Sequence, residues 1–366
     1  MLPAGCSVAT AHQAAMNAAS FTLLLTVPWR LVTRGRSTPG SSATTTAAAD
    51  VSPTDVPGSD TPGTDAQGDV PLPGKATFET ADPEAIVVLD ANVMCSFCKN
   101  SDHPEWVQDW ATRVLWWHDV LLRHDPDLLA LQEFQEIVPT DPVLSQPEQI
   151  IAPENAYDFE YYHFVPGDLF EQNYDDATVF WRKSRFDKLD TGVFWLSPTP
   201  DVSYSTGFKQ PQEPRLVVWV LLHDKKANRD FYFANTHFDN NFPSQKLSSP
   251  LVLQRFAALA GPHPIIFGGD FNSAPDTEAY QTLIKGVDGK GLHLDDALTL
   301  AKTAGVLSNV EPAPLKLSQF ENIDHIFLGG ATFSVQWWVL DLWRYGELKQ
   351  APSDHNGAIV AAVKWP

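Results

Sequence analysis

The sequence predicts an α+β domain in which two β-sheets pack face to face with helices on the outside. Three observations predict it. From Glu84 onward, short apolar runs rich in β-branched and aromatic residues alternate with turn signals. Many of these runs are apolar at successive positions, as strands covered on both faces require. No internal repeat with a period of roughly 20 to 50 residues is visible, which argues against a solenoid or a propeller.

In chain order the strand candidates are AIVVLDANV, ATVFWRK, GVFWLS, LVVWVLLHD, DFYFANTHF, PIIFGGDF, IDHIFLGG, FSVQWWVLD and GAIVAAVKW. Between the first two, Trp106 to His124 places apolar residues three and four apart, the spacing of an amphipathic helix. Residues 251–259 and 277–284 read as further helices. Hydrophobic residues make up 43% of the chain and aromatics 11%, ample for a large core and too rich for a disordered chain. A chain of 366 residues exceeds the usual domain, so one body at 81–366 with an appendage is expected.

The appendage divides in two. Ser37 to Pro73 is dense in Ser, Thr, Ala, Pro, Gly and Asp and cannot offset its ordering entropy by burial, so 37–80 reads as a disordered linker. Residues 1–36 form a leader whose apolar run, Ala19 to Val32, is short for a bilayer and broken by Pro28 and Arg30. No Lys or Arg precedes Phe21, whereas an ordinary signal peptide has a basic start. An atypical export signal or membrane tether is one reading, and an unstructured leader or a misassigned start codon the other; a secreted or tethered protein is the expectation.

The net charge of −20, from 25 basic and 45 acidic residues, repels polyanions at long range unless cations or a local basic patch reverse the field. With Cys6, Cys95 and Cys98 as the only cysteines, no disulfide framework holds the fold.

Polar residues interrupt the apolar runs at separated strand ends: Asn92 after VVLDA, Glu133 in LLALQEF, His237 in FANTHFDNN, Asp270 and Asn272 in IIFGGDFNS, Asp324 in NIDHIF, and Asp354 with His355 in PSDHN. Burying a lone carboxylate or amide costs several kcal/mol unless it is paired or binds a metal. Convergence on one site at one edge of the sheets explains them together. Hard oxygen ligands without a Cys/His cluster suit Mg2+, with Mn2+ as the substitute, rather than zinc. Hydrolysis of a phosphate ester needs charge neutralisation, a base for water and help for the leaving oxygen, and these residues cover all three.

The ordered pieces LDANVM, DPDLLALQE, DDATVFW, NTHFDNN, GGDFNSAPD, IDHIF and PSDHN resemble the endonuclease/exonuclease/phosphatase superfamily across nearly all of 84–366. Other stretches look like a bacterial-type branch. The resemblance implies a deoxyribonuclease I-like four-layer α/β/β/α sandwich of two packed mixed sheets with outer helices. It implies Glu133 as the principal metal ligand, with Asn92 and Asp354 at the metal. Asp270 would orient or deprotonate the attacking water, and Asn272 and His237 would hydrogen-bond the phosphoryl oxygens. His355 would act on the phosphate or as base, its tautomer set by Asp324. Asp176, at a polar substrate-facing position of relatives, and Arg215, Asn240 and Asn241 are substrate-binding candidates. Their bland readings are a turn carboxylate, a surface arginine and a turn.

Cys95 and Cys98 form a lone CxxC with no second pair to complete a zinc tetrahedron, and read as small packed residues, disulfide-bonded if the protein is exported. Trp337, Trp338 and Trp343 suit core packing, with stacking on a base or a lipid headgroup as the alternative. His325 follows Asp324, so in a strand it points to the other face. The expected function is a Mg2+-dependent phosphodiesterase, nuclease or phosphatase, with an inactive binding module on the same fold as the alternative. The expected partner is a phosphate-ester substrate, whether nucleic acid, phospholipid or small phosphodiester, and the expected state is a monomer without an obligate protein partner.

Overall fold

The computed structural model describes residues 80–96, 98, 108–134, 144–152, 155–163, 174–208, 214–311, 322–355 and 357–365. The expected leader at 1–36, the linker up to residue 79, and His103 lie outside the described residues.

Two mixed sheets form the body. The first contains β1 (Ile86–Asn92), β2 (Leu128–Gln132), β3 (Tyr157–Tyr162), β4 (Tyr174–Arg182), β10 (Ala301–Leu307), β12 (Ser334–Asp341) and β13 (Ala358–Lys364), in the spatial order β10-β12-β13-β1-β2-β4-β3. The second contains β5 (Phe186–Trp195), β6 (Leu216–Asp224), β7 (Arg229–His237), β8 (Ile265–Asp270), β9 (Leu294–Asp296) and β11 (Asp324–Gly329), in the order β5-β6-β7-β8-β11-β9. The pairs β1/β2, β7/β8 and β10/β12 are parallel and the remaining neighbours antiparallel.

Strand alternation explains the layers. Ile86 and Val88 of β1 face the second sheet and join a core with Trp181, Val218, Phe233, Ile266, Ile326 and Trp338. Val87, Leu89 and Ala91, one residue out of phase, point outward and are covered by helix α1 (Trp110–His124) through Trp110, Trp117 and Val120. Helix α2 (Gln146–Ile151) lies beside it, begun by a capping box at Ser145 and Glu148. The outer face of the second sheet is covered by α3 (Phe242–Ala260) and α4 (Glu278–Lys285), which contribute Leu253, Phe256, Tyr280 and Leu283. A one-turn helix, α5 (Ala297–Leu300), links β9 to β10. The result is the four-layer sandwich that the sequence predicts.

Trp337 and Trp338 are buried, and Trp343 lies under the Arg123 guanidinium, so these rings pack within the protein. His118, His124 and His163 are engaged by Gln149, Asp341 and Glu160. No described helix is long and apolar enough to cross a membrane.

Candidate active site

The register brings the predicted polar residues to one rim. β1, β2, β7 and β8 end there, while β4, β6 and β11 begin there, so that Asp270 lies opposite both Asp324 and His237. Non-glycine residues with left-handed backbone close three of these strands: Met94, Glu133 and Asn272 have φ of 58°, 66° and 48°. Such conformations cost about 1–3 kcal/mol each and persist where surrounding bonds fix them. For Glu133 the fixing bonds run from its N–H to the backbone oxygen and to Oδ1 of Asp176, at 2.9 and 3.0 Å.

Asp270 is the centre. Its Oδ2 lies 3.1 Å from Asn92 Nδ2, 3.4 Å from His237 Nε2 and 3.5 Å from His355 Nε2, and its Oδ1 accepts the Asn272 N–H at 2.9 Å. Each imidazole is backed by a carboxylate, Asp176 Oδ1 at 3.0 Å from His237 Nδ1 and Asp324 Oδ2 at 3.0 Å from His355 Nδ1. Burial and Arg215 oppose a charge on His237, but Asp176 and Asp270 outweigh them and raise its pKa above the ordinary value. Burial likewise opposes a charge on His355, yet Asp324, Asp270 and Asp354 lift it well above the ordinary value. Burial alone would raise the Asp176 carboxyl; His237 and Arg215 hold it below the usual carboxylate range.

Asn92 donates from Nδ2 to Glu133 Oε1 at 2.8 Å as well, so one amide bridges Glu133 and Asp270. Asp324, Asp270 and His355 present ligand atoms all within 4.8 Å of one another, and Asp324 Oδ1 is buried without a hydrogen-bond partner. A buried, orphaned carboxylate oxygen in an oxygen-rich set fits a hard divalent cation.

Other candidates stand further out. Asp354 is exposed, with Ser353 Oγ at 3.3 Å, and lies outside that cluster. Asp176 and Arg215 pair at 2.7 Å, so both oxygens of Asp176 are taken by protein partners and its influence on a substrate passes through His237 and Arg215. The Asn272 amide donates to Phe238 O at 2.9 Å. Asn240 is exposed, whereas the Asn241 side chain caps α3 by accepting the Ser244 N–H. His325 points away from Asp324's side of the sheet and packs with Asp296, Tyr280 and Ser273 O.

Four residues of this region were not anticipated from sequence. Asp90, inward-facing like Asn92, is fully buried beneath the site; burial, then Asp324, pushes its carboxyl well above the ordinary range. Gln132 Nε2 ties Asp90 Oδ1 to Asn235 Oδ1 at 2.9 and 2.7 Å, and Gly268 leaves room for Asp90, since a Cβ there would sit 2.9 Å from its Oδ1. Arg113 is buried on α1 and donates to the carbonyls of Val93, Met94, Cys95 and Pro352, joining the loops that carry Asn92 and His355. Burial lowers its pKa to about 10. A cation on the apolar stripe of a helix is the signal that could have found it.

A model of the Endonuclease/Exonuclease/phosphatase family matches residues 91–355. The chain belongs to this family. Among solved structures it is similar to an endonuclease/exonuclease/phosphatase family protein from Bacteroides thetaiotaomicron, at 24% identity and a TM-score of 0.61 over 78% of this chain and 99% of that one. It is similar to a mannosyl-6-phosphatase of the same organism, at 23% identity and 0.61 over 76% and 100%. It also resembles D. rerio TDP2 complexed with single-strand DNA product, at 18% identity and 0.52 over 76% and 99%. These likenesses show the deoxyribonuclease I-like fold. No curated protein matches the sequence significantly. Family membership supports hydrolysis of phosphate esters as the class of activity.

Proposed function

We propose that this member of the Endonuclease/Exonuclease/phosphatase family is a divalent-metal-dependent phosphoesterase that uses Mg2+, with Mn2+ as a substitute, to cleave a phosphate ester with water. The observation that carries the reading is the meeting of Asn92, His237 and His355 on the single oxygen Oδ2 of Asp270. Glu133, with Asn92 and Asp354, is the set that the resemblance implies for the cation, and the orphaned Asp324 Oδ1 beside Asp270 would give it a further buried oxygen. When bound, it would neutralise charge on the phosphoryl oxygens and acidify water.

The chain's own groups supply the rest. Asp270, fixed at Oδ1 by the Asn272 N–H and gathering Asn92, His237 and His355 at Oδ2, would orient or deprotonate the attacking water once the two imidazoles turn to the phosphoryl group. His237 and His355, both biased towards the protonated form, donate from Nε2 to phosphoryl oxygens as charge grows there. Asp324 and Asp176 fix those two imidazoles through Nδ1. The similar structures include a mannosyl-6-phosphatase and TDP2 complexed with single-strand DNA product, so a small phosphate ester and a nucleic acid both belong in the assay. We infer in addition a secreted or membrane-tethered protein, because Cys95 and Cys98 are joined in a disulfide, a bond that persists outside the cytoplasm.

The test offers plasmid DNA, RNA, bis-p-nitrophenyl phosphate, sphingomyelin and sugar or inositol phosphates, with Mg2+ or Mn2+, to wild type, Asp270→Ala and His355→Ala. One substrate class should turn over, with a loss of about a thousandfold in Asp270→Ala and complete loss in EDTA. Equal turnover by wild type and both variants would remove the assignment.

A further inference from the structure

Beside the Asp270 cluster lies a second group of potential ligands. Cys95 and Cys98 are joined in a disulfide, with Cα atoms 5.1 Å apart, and their sulfurs and a Glu133 carboxylate oxygen all lie within 4.8 Å of one another. The sequence presented the CxxC as an incomplete zinc site because no second pair exists. The fold supplies the missing ligand from β2, some forty residues along the chain.

The Cys95 and Glu133 side of the group is held in place independently of the sulfur–sulfur bond. Arg113 donates to the carbonyls of Val93, Met94 and Cys95 at 2.6, 3.1 and 2.9 Å, fixing this backbone from behind. In front, the Cys95 N–H donates to Glu133 Oε2 at 3.2 Å. Cys95 is buried and Cys98 half-buried, so a ligand reaching the sulfurs does so next to Glu133.

We propose that reduction of Cys95–Cys98 opens a second metal site, formed by the two thiolates and Glu133, that takes a thiophilic divalent cation such as zinc. Two electrons and two protons from a dithiol reductant cleave the sulfur–sulfur bond and leave two thiols, while the reductant becomes a disulfide. Binding of the cation then releases both thiol protons and forms two metal–sulfur bonds and one metal–oxygen bond, with a fourth position for water. Oxidised, the sulfurs offer no thiolate and the site is closed. Resting on the phosphoesterase reading, the consequence is competition: a zinc ion that occupies Glu133 withdraws that carboxylate from the Mg2+ side, so the reduced protein is inhibited by zinc and the oxidised protein is not.

The test titrates Co2+, a spectroscopic stand-in for zinc, into the full chain after anaerobic reduction with dithiothreitol and desalting. A thiolate-to-cobalt charge-transfer band should appear in reduced wild type and be displaced by one equivalent of zinc. Oxidised wild type and reduced Cys98→Ser should lack the two-thiolate band, and Glu133→Gln should weaken cobalt binding by roughly tenfold or more. No band in reduced wild type overturns the site, and undiminished affinity in Glu133→Gln overturns the participation of the carboxylate. With an active substrate in hand, one equivalent of zinc should lower the Mg2+-supported rate of reduced protein by roughly tenfold or more; an unchanged rate with the band fully developed overturns the shared ligand. A band titrating as described with no hydrolysis under any condition supports the metal site and counts against the phosphoesterase reading.

Discussion

The two rims of the sandwich use their charged side chains in opposite ways. At the rim away from the candidate site, Arg185 lies between two carboxylates, reaching Asp127 Oδ2 at 2.9 Å and Asp224 Oδ2 at 3.2 Å while also donating to the carbonyls of Glu84 and Ala85. Its partners are themselves satisfied, Asp127 by the Val87 N–H and Asp224 by the Lys226 N–H and Trp365 Nε1. At the candidate site, Glu133, Asp176, Asp270 and Asp324 crowd around two imidazoles and Arg215, and Asp324 keeps an orphaned oxygen. The first rim is closed, with both carboxylates met by protein donors; the second is open, because Asp324 Oδ1 is buried without a partner, which a cation would supply.

The contrast breaks most visibly at Arg185. Replacing it with Met leaves the buried Asp224 and the half-buried Asp127 without their shared cation and should cost about 3–5 kcal/mol of stability. Denaturant unfolding reads the loss, and the rate per folded molecule should stay at the wild-type level. A fall in turnover at unchanged folded fraction would show that the closed rim reaches the chemistry. The complementary change at the open rim is Asp324→Asn, which keeps the shape and removes the charge behind His355. Activity should fall about 10- to 100-fold with a far smaller loss of stability. A stability loss as large as that of Arg185→Met would put the two rims on the same structural footing.

The carboxylates of the open rim were visible in the sequence because each interrupts an apolar run at a strand end, where burial without a partner is unfavourable. Arg113, Gln132 and Asn235 were not, because their necessity arises from packing: Gln132 matters as the bridge between Asp90 and Asn235, which come from different sheets. The same reason separates the strands that were legible from those that were not. Runs buried on both faces, such as β1 and β8, announce themselves by composition. The edge strands β3 and β10 show mixed or exposed patterns, YDFEYY and AKTAGVL, with no continuous apolar run. Helix α3, expected over 251–259, begins at Phe242 and carries Pro250 inside, with Ser244, Gln245, Ser248 and Ser249 buried in its first half instead of an apolar stripe.

The imidazoles of the open rim and Asp224 of the closed one should differ in pH dependence. His237 and His355 have pKa values raised in the fold, so the metal-free native state binds more protons than the unfolded chain as pH rises beyond the ordinary imidazole value of 6.5. Their contribution is complete below that value and is lost as pH climbs through the raised values. Asp224 behaves inversely: burial opposes its charge, but Arg185 and Trp365 depress its pKa below 3.8, so its contribution is present above that value and is lost as pH falls through the depressed one. Melting temperatures in EDTA should therefore decline on the alkaline side in wild type and less steeply in His355→Gln. An identical alkaline slope in the two proteins would remove the imidazoles from the account.

The smallest expected effects lie at adjacent residues on the edge of the open rim. The Asn241 side chain is committed to the N-terminus of α3, so Asn241→Ala should cost about 1 kcal/mol, and Asn241→Ser, which can still cap, should recover most of it. Asn240 is exposed at the same turn and makes the freer approach to a substrate. Asn240→Ala should leave the melting temperature unchanged and raise KM by about two- to tenfold, the worth of one neutral hydrogen bond. Opposite signatures at neighbouring positions would place the boundary between scaffold and substrate cleft at a single peptide bond. A KM change in Asn241→Ser as large as that in Asn240→Ala would move the boundary inward, making the cap itself part of the substrate surface.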